Sequence, residues 1–117
     1  MTDITSRYLA CWNAEPAERS RLVEETFTPT VRYVDPMADV AGHDGLSATI
    51  SAVRQQFPDL AFHQIGQSDH HHHLTRFAWG LGPAGGEPVI EGFDVVTTAD
   101  DGRIESVLGF LDRVPAQ

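Results

Sequence analysis

Three side chains of this chain, Asp35, Asp94 and Tyr8, are of types and in settings that could do acid–base chemistry. Asp35 ends the run Val31-Arg32-Tyr33-Val34 and precedes Pro36, which biases it towards an extended backbone. Strand alternation puts Val31, Tyr33 and Asp35 on one face and Arg32 and Val34 on the other. A carboxylate walled by apolar groups has its charged form disfavoured and its pKa raised, which suits a general base near neutral pH. Asp-Pro is also a common turn initiator, so a turn role stands beside the catalytic one. Asp94 lies inside Val89-Ile-Glu-Gly-Phe-Asp-Val-Val-Thr-Thr, with no local turn or cap to explain it. Buried carboxylates are rare unless paired or protonated, so Asp94 is the most informative of the three. Glu91 is its foil, falling on the opposite face with Phe93 and Val95. Tyr8 sits on an apolar helical stripe, where it is either a core tyrosine with a backbone partner or a working group.

The run His70-His71-His72-His73 is internal. In a strand its members alternate, so at most two point inward, and His73 continues the face of Thr75, Phe77 and Trp79, with His63 on the neighbouring strand. A metal site needs a third protein ligand and fixed outer partners, which the sequence does not show, so adventitious nickel or zinc is the expected limit. Arg76 either reaches solvent or pairs with a carboxylate across the sheet.

The elements that must position these groups follow from periodicity. Ile4, Tyr8, Cys11 and Trp12 form one helical stripe, with Thr2 or Asp3 as the cap and Asn13 as the stop. Pro16 opens a second helix that buries Leu22, Val23 and Phe27. Strand 31–34 comes next, then a loop over 37–42. Asp44 then caps a third helix, carrying Leu46, Ile50, Val53 and Phe57 and closed by Pro58. The period then changes to two. Strands are expected over 60–67, 71–81, 89–98 and 104–114, with turns at Gly82 to Gly86 and Ala99 to Gly102. This order predicts an α+β fold, a curved, largely antiparallel sheet with helices on one side.

A chain of 117 residues makes one domain, expected over 1–117. With 17 acidic and 8 basic residues, and no basic stripe, the net charge of −9 opposes nucleic acid and anionic membrane. The single cysteine, Cys11, excludes an intramolecular disulfide and a cysteine-based zinc site. No apolar run reaches membrane-spanning length and the first residues do not read as a secretion signal, so a cytoplasmic protein is expected.

The segments Arg7-Tyr-Leu-Ala-Cys-Trp-Asn-Ala14, Phe27-Thr-Pro-Thr-Val-Arg-Tyr-Val-Asp-Pro36 and Phe93-Asp-Val-Val-Thr-Thr-Ala-Asp-Asp-Gly-Arg-Ile104 resemble the nuclear transport factor 2-like superfamily. That superfamily includes SnoaL-type polyketide cyclases, ketosteroid isomerases, scytalone dehydratase and limonene epoxide hydrolase. The resemblance covers nearly the whole chain and implies a cone, with three helices on the concave side of a strongly curved sheet. Against ketosteroid isomerases, Tyr8 falls at the oxyanion-donating tyrosine, Asp35 at the general base, and Asp94 at a second donor held protonated by an apolar site. The segment between Tyr8 and Asp35 is longer than in that family, and His63, the histidine run and Trp79 lie outside its motif. Arg76 is followed two positions on by Ala78, which departs from the epoxide hydrolase pattern, whereas Tyr33, His63, His73 and Asp35 imitate the dehydratase loosely.

The resemblance implies proton abstraction alpha to a carbonyl by Asp35, with the enolate held by Tyr8 and Asp94, as in an isomerase or cyclase. Trp12, Tyr33, His63, His73, Phe77 and Trp79 are the expected substrate-binding wall. The expected ligand is a small hydrophobic molecule, and no metal or other cofactor is expected. The alternative is a non-catalytic ligand-binding or dimerisation module. A homodimer is expected through the open sheet face, with either Phe93 and Val95 or Val107 and Leu111 outward.

Overall fold

The computed structural model describes residues 3–114. Helix α1, Ile4–Asn13, starts at Asp3, whose carboxylate accepts the Ser6 N–H at 2.8 Å. Its stripe buries Thr5, Tyr8, Leu9, Cys11 and Trp12. The other expected cap, Thr2, lies outside the described residues. Asn13 ends the helix and ties it to the sheet, its side chain giving to the Phe62 carbonyl at 2.9 Å and accepting the Phe62 N–H at 2.8 Å. Helix α2, Pro16–Thr26, opens on its proline. Phe27, expected on that helix, is instead the first residue of strand β1, Phe27–Asp35. Its extended backbone ends the helix, and its ring remains in the core.

The expected loop after Asp35 contains a short strand, β2, Ala38–Ala41, which folds back antiparallel on β1 and pairs Asp35 with Ala38. Helix α3, Gly42–Gln56, therefore begins earlier than expected. Gly42 makes the corner at φ 81°, and Asp44 lies in the first turn without capping it. Leu46 and Ile50 are its fully buried residues, as the apolar period required.

Strands β3, Ala61–His71, β4, Leu74–Gly82, β5, Ile90–Thr98, and β6, Ile104–Arg113, complete a six-stranded sheet of order β2-β1-β6-β5-β4-β3. All pairings are antiparallel except β1 with β6. The fold is α+β, as the sequence predicted. The β3–β4 register shifts between Ile65 and Asp69, and Gly66 there takes φ 68°.

One sheet face packs against the helices. Phe77 sits edge-on to Tyr8 at 5.2 Å between ring centres, and Phe27 does so at 5.9 Å, so α1 is held on the sheet by aromatic contacts. The opposite face is open. There Phe93 stacks on Phe110 at 5.2 Å, with Leu108 and Phe110 about half exposed, at 46% and 55%. Val107 is fully buried, so Phe93 and Val95 belong to the open face.

Candidate active site

Between α1, α3 and the helix-covered face of the sheet lies a cavity of about 450 Å³, within the range of small-molecule sites. Its walls are mostly apolar and aromatic, and its polar groups are few. Tyr8, Asp35 and Asp94, three residues far apart in sequence, all line it.

Asp94 is placed by the strand period. It alternates with Gly92 and Val96 on the inward face of β5 and lies opposite Phe77 on β4 and Gly109 on β6. It is 3% exposed. Burial pushes its pKa up to about 6; the Tyr8 hydroxyl and the Trp79 indole N–H hold it down, and the charge of Asp35 adds to the rise. Burial, then the neighbouring charge of Asp94, keeps the Tyr8 phenol well above its ordinary pKa, so it is a neutral donor at any physiological pH.

Asp35 reaches the same place from β1, whose parallel pairing with β6 aligns Tyr33 with Val107 and Val34 with Leu108. Gly109 shows how close the two acids come. A β-carbon built there would stand 2.6 Å from Asp94 Oδ1 and 3.3 Å from the Asp35 β-carbon. Both acids thus crowd the space left by one missing side chain.

The Asp35 carboxylate also holds its own turn. Oδ1 accepts the N–H groups of Met37 and Ala38, both at 2.8 Å, and Oδ2 accepts the Tyr33 hydroxyl. The turn and pocket roles offered by the sequence therefore coexist in one residue. Burial, then the charge of Asp35, keeps the Tyr33 phenol far above its ordinary pKa.

A family model described as a SnoaL-like domain matches residues 5–107. The chain belongs to the SnoaL-like domain family. A protein from Agrobacterium tumefaciens, named as a candidate isomerase of the SnoaL-like family, shares 43% identity with this SnoaL-like domain. Its TM-score is 0.88, over 93% of this chain and 94% of that one. A candidate SnoaL-like polyketide cyclase from Jannaschia sp. CCS1 matches at TM-score 0.75 and 20% identity, over 93% and 83% of the two chains. A candidate ketosteroid isomerase from Kribbella flavida matches at TM-score 0.71 and 15% identity, over 97% and 78%. At those lower identities the likeness is one of fold, the nuclear transport factor 2-like fold that the sequence resembles. No curated protein matches the sequence.

The wall of the SnoaL-like domain's cavity departs from expectation in three places. Trp12, Tyr33 and Trp79 line it. Phe77 does not; it lies fully buried against Tyr8 and fixes that ring. His63 is exposed, because Phe62 takes the inward position on β3 and packs edge-on against Trp12 and Trp79, at 5.3 and 5.4 Å. The apolar parity of Leu60 and Phe62 was the signal for this. His73 does not continue the inward face of Thr75 and Phe77, since it belongs to the β3–β4 turn that His72 makes at φ 52°. Its side chain is exposed, 3.9 Å from Asp100. All four members of the histidine run are exposed. Two histidines of the loose dehydratase pattern thus lie outside the cavity.

Arg76 points away from Asp94 and meets Asp69 across the β3–β4 pairing, at 3.5 Å. Sequence reasoning also missed Phe57 and Gln56 at the end of α3 and Met37 in the β1–β2 turn, all of which line the cavity. Met37 is 85% exposed and marks its mouth. Among the described residues no helix is long and apolar enough to cross a membrane.

Proposed function

We propose that this SnoaL-like domain binds a small, carbonyl-bearing hydrophobic molecule and moves a proton on the carbon beside its carbonyl, as an isomerase or cyclase does. In this reading Asp35 is the base, and Tyr8 and Asp94 donate to the oxygen on which negative charge develops. The observation that carries it is the crowding at Gly109, which sets a half-buried carboxylate beside a deeply buried one that burial moves towards its neutral form. A buried acid moved towards its neutral form is suited to donate to the oxygen on which charge develops. Oδ2 of Asp35 has a second lone pair beyond the one given to Tyr33, so the turn does not use up its capacity to accept a proton. The candidate isomerase from Agrobacterium tumefaciens, at 43% identity, supports the same class of chemistry.

The test is washout of protium from the carbon next to the carbonyl of 1-tetralone in heavy water, read by proton NMR as loss of that signal. Wild type should exchange that position, and Asp35→Asn should fall to the rate in buffer. Wild-type exchange no faster than buffer would overturn the reading.

The three hydrogen bonds already on Asp35 favour a second reading, a binding module in which that residue only holds the pocket wall. In that case 1-tetralone should bind without exchange. For the assembled protein we propose a homodimer through the open sheet face, where Phe93, Leu108 and Phe110 form an apolar patch of the kind that seeks a partner.

A further inference from the structure

Asp35 is held by more than its own turn. Residues two apart on β1 share a face, so Tyr33 stands beside Asp35, and its hydroxyl donates to Oδ2 of that acid. The tyrosine is buried and lines the cavity. Its ring packs on Trp12 of α1, with ring centres 5.6 Å apart and planes inclined by 44°.

The acceptor sites of Asp35 are nearly full. The two oxygens of a carboxylate offer about four lone-pair sites. Oδ1 gives both of its sites to the N–H groups of Met37 and Ala38, each at 2.8 Å. Oδ2 gives one to Tyr33, and its other site is the place left for an incoming proton. A charge drawn partly out of water also needs support. Among the described residues no arginine, lysine or histidine lines the cavity. The other titratable groups on its wall are Asp94 of β5, which meets Asp35 beside Gly109, and Tyr8 of α1; α3, β3, β4 and β6 bring none. Arg32 and Asp39, on β1 and β2, are exposed and paired with each other at 2.9 Å. The hydrogen bonds of Met37, Ala38 and Tyr33 therefore support the charge of Asp35, and Tyr33 gives the one on the reacting oxygen.

We propose that Tyr33 is a positioning residue for the proton transfer, fixing Oδ2 of Asp35 as the accepting atom and keeping that carboxylate charged until the substrate proton arrives. The inference rests on the acid–base reading of the site and goes beyond it, since Tyr33 acts on the base and not on the bound oxygen. In the step, the C–H bond beside the carbonyl breaks and its proton bonds to Oδ2. Its electron pair forms the carbon–carbon double bond of the enolate, and the carbonyl π pair moves onto the oxygen faced by Tyr8 and Asp94. Tyr33 keeps its own proton throughout, because burial and the charge of Asp35 hold the phenol far above its ordinary pKa.

The experiment measures kcat/KM for washout from 1-tetralone, from about pH 4 to about pH 8, in wild type, Tyr33→Phe and a protein with difluorotyrosine at position 33. The protonation of Asp35 is read independently from the infrared carboxyl band that Asp35→Asn removes. Hydrogen bonds to a carboxylate favour its charged form. Tyr33→Phe removes one, so the acid limb of the rate profile and the titration of that band should both move up by about one pH unit, with the alkaline limb in place. Fluorine makes the phenol a stronger donor in nearly the same shape, so both should move down in the difluorotyrosine protein. That opposite shift decides the matter if Tyr33→Phe folds poorly. A merely structural role would lower the rates evenly across the range, without moving the limb or the band. If Asp35→Asn abolishes washout while neither change at position 33 moves limb or band, the base stands and the role of Tyr33 falls. If wild-type washout is no faster than buffer, both readings fall.

Discussion

Replacing Asp94 with asparagine should stabilise this protein at alkaline pH, and by an amount that grows with pH. The folded chain holds the Asp94 pKa near 6, against 3.8 for the ordinary side chain. Between those values the folded protein keeps a proton that the unfolded chain releases. The stability from that proton is complete below about pH 4 and is lost as pH rises through about 6. A shift of about two units corresponds to about 3 kcal/mol at pH 8 and about 1 kcal/mol at pH 4.5. Asparagine keeps the shape and does not titrate. Any fixed penalty from its amide cancels when the two pH values are compared. The assay is urea unfolding of wild type and Asp94→Asn at both pH values, followed through the fluorescence of Trp12 and Trp79. The difference in unfolding free energy should move by about 2 kcal/mol in favour of the variant between pH 4.5 and pH 8. A difference that stays constant, or moves in favour of wild type, would refute the claim that burial disfavours the Asp94 charge.

The same titration bears on activity. If neutral Asp94 is the donor, wild-type washout should fall about tenfold per pH unit above about 6, with Asp94→Asn showing no such fall; identical profiles would exclude the role. Gly109→Ala puts a methyl group 2.6 Å from Asp94 Oδ1, so washout should drop about 100-fold while unfolding free energy falls by no more than about 3 kcal/mol. Wild-type rates in that variant would show that the spacing of the acids is immaterial. Ile50→Ala, emptying a fully buried site on α3, should lower stability by about 2–5 kcal/mol in the same urea assay, and a loss under 1 kcal/mol would mean that α3 does not close the core. Phe110→Asp on the open sheet face should convert a dimer to a monomer by light scattering; a wild type that is already monomeric at micromolar concentration contradicts the proposed assembly.

Much of the fold could be read from local patterns. The stripe of Tyr8, Cys11 and Trp12 needs only a 3.6-residue period to become a buried helix face, and the alternation about Asp94 needs only a period of two. Where local signals were weak or competing, the reading failed. Strand β2 has four residues, too few for a period to show. On β3 the choice between Phe62 and His63 is one of parity, and a slip of one residue exchanges the faces. His73 was misread because the shift near Gly66 and the turn at His72 end the alternation before it. Gly92 and Gly109 were visible as glycines within strands, a sign of close approach, but nothing near them names what approaches.

The sequence by itself determined which residues are apolar, which acids have no local excuse, and where chain direction changes, because these depend on neighbours a few positions away. The meeting of Asp35 and Asp94 was decided by tertiary structure. It depends on β6 lying between β1 and β5, parallel to one and antiparallel to the other, so that Gly109 is beside both acids. Strand order and direction are chosen by the packing of whole elements, and a residue's own neighbours in sequence contain no record of that choice.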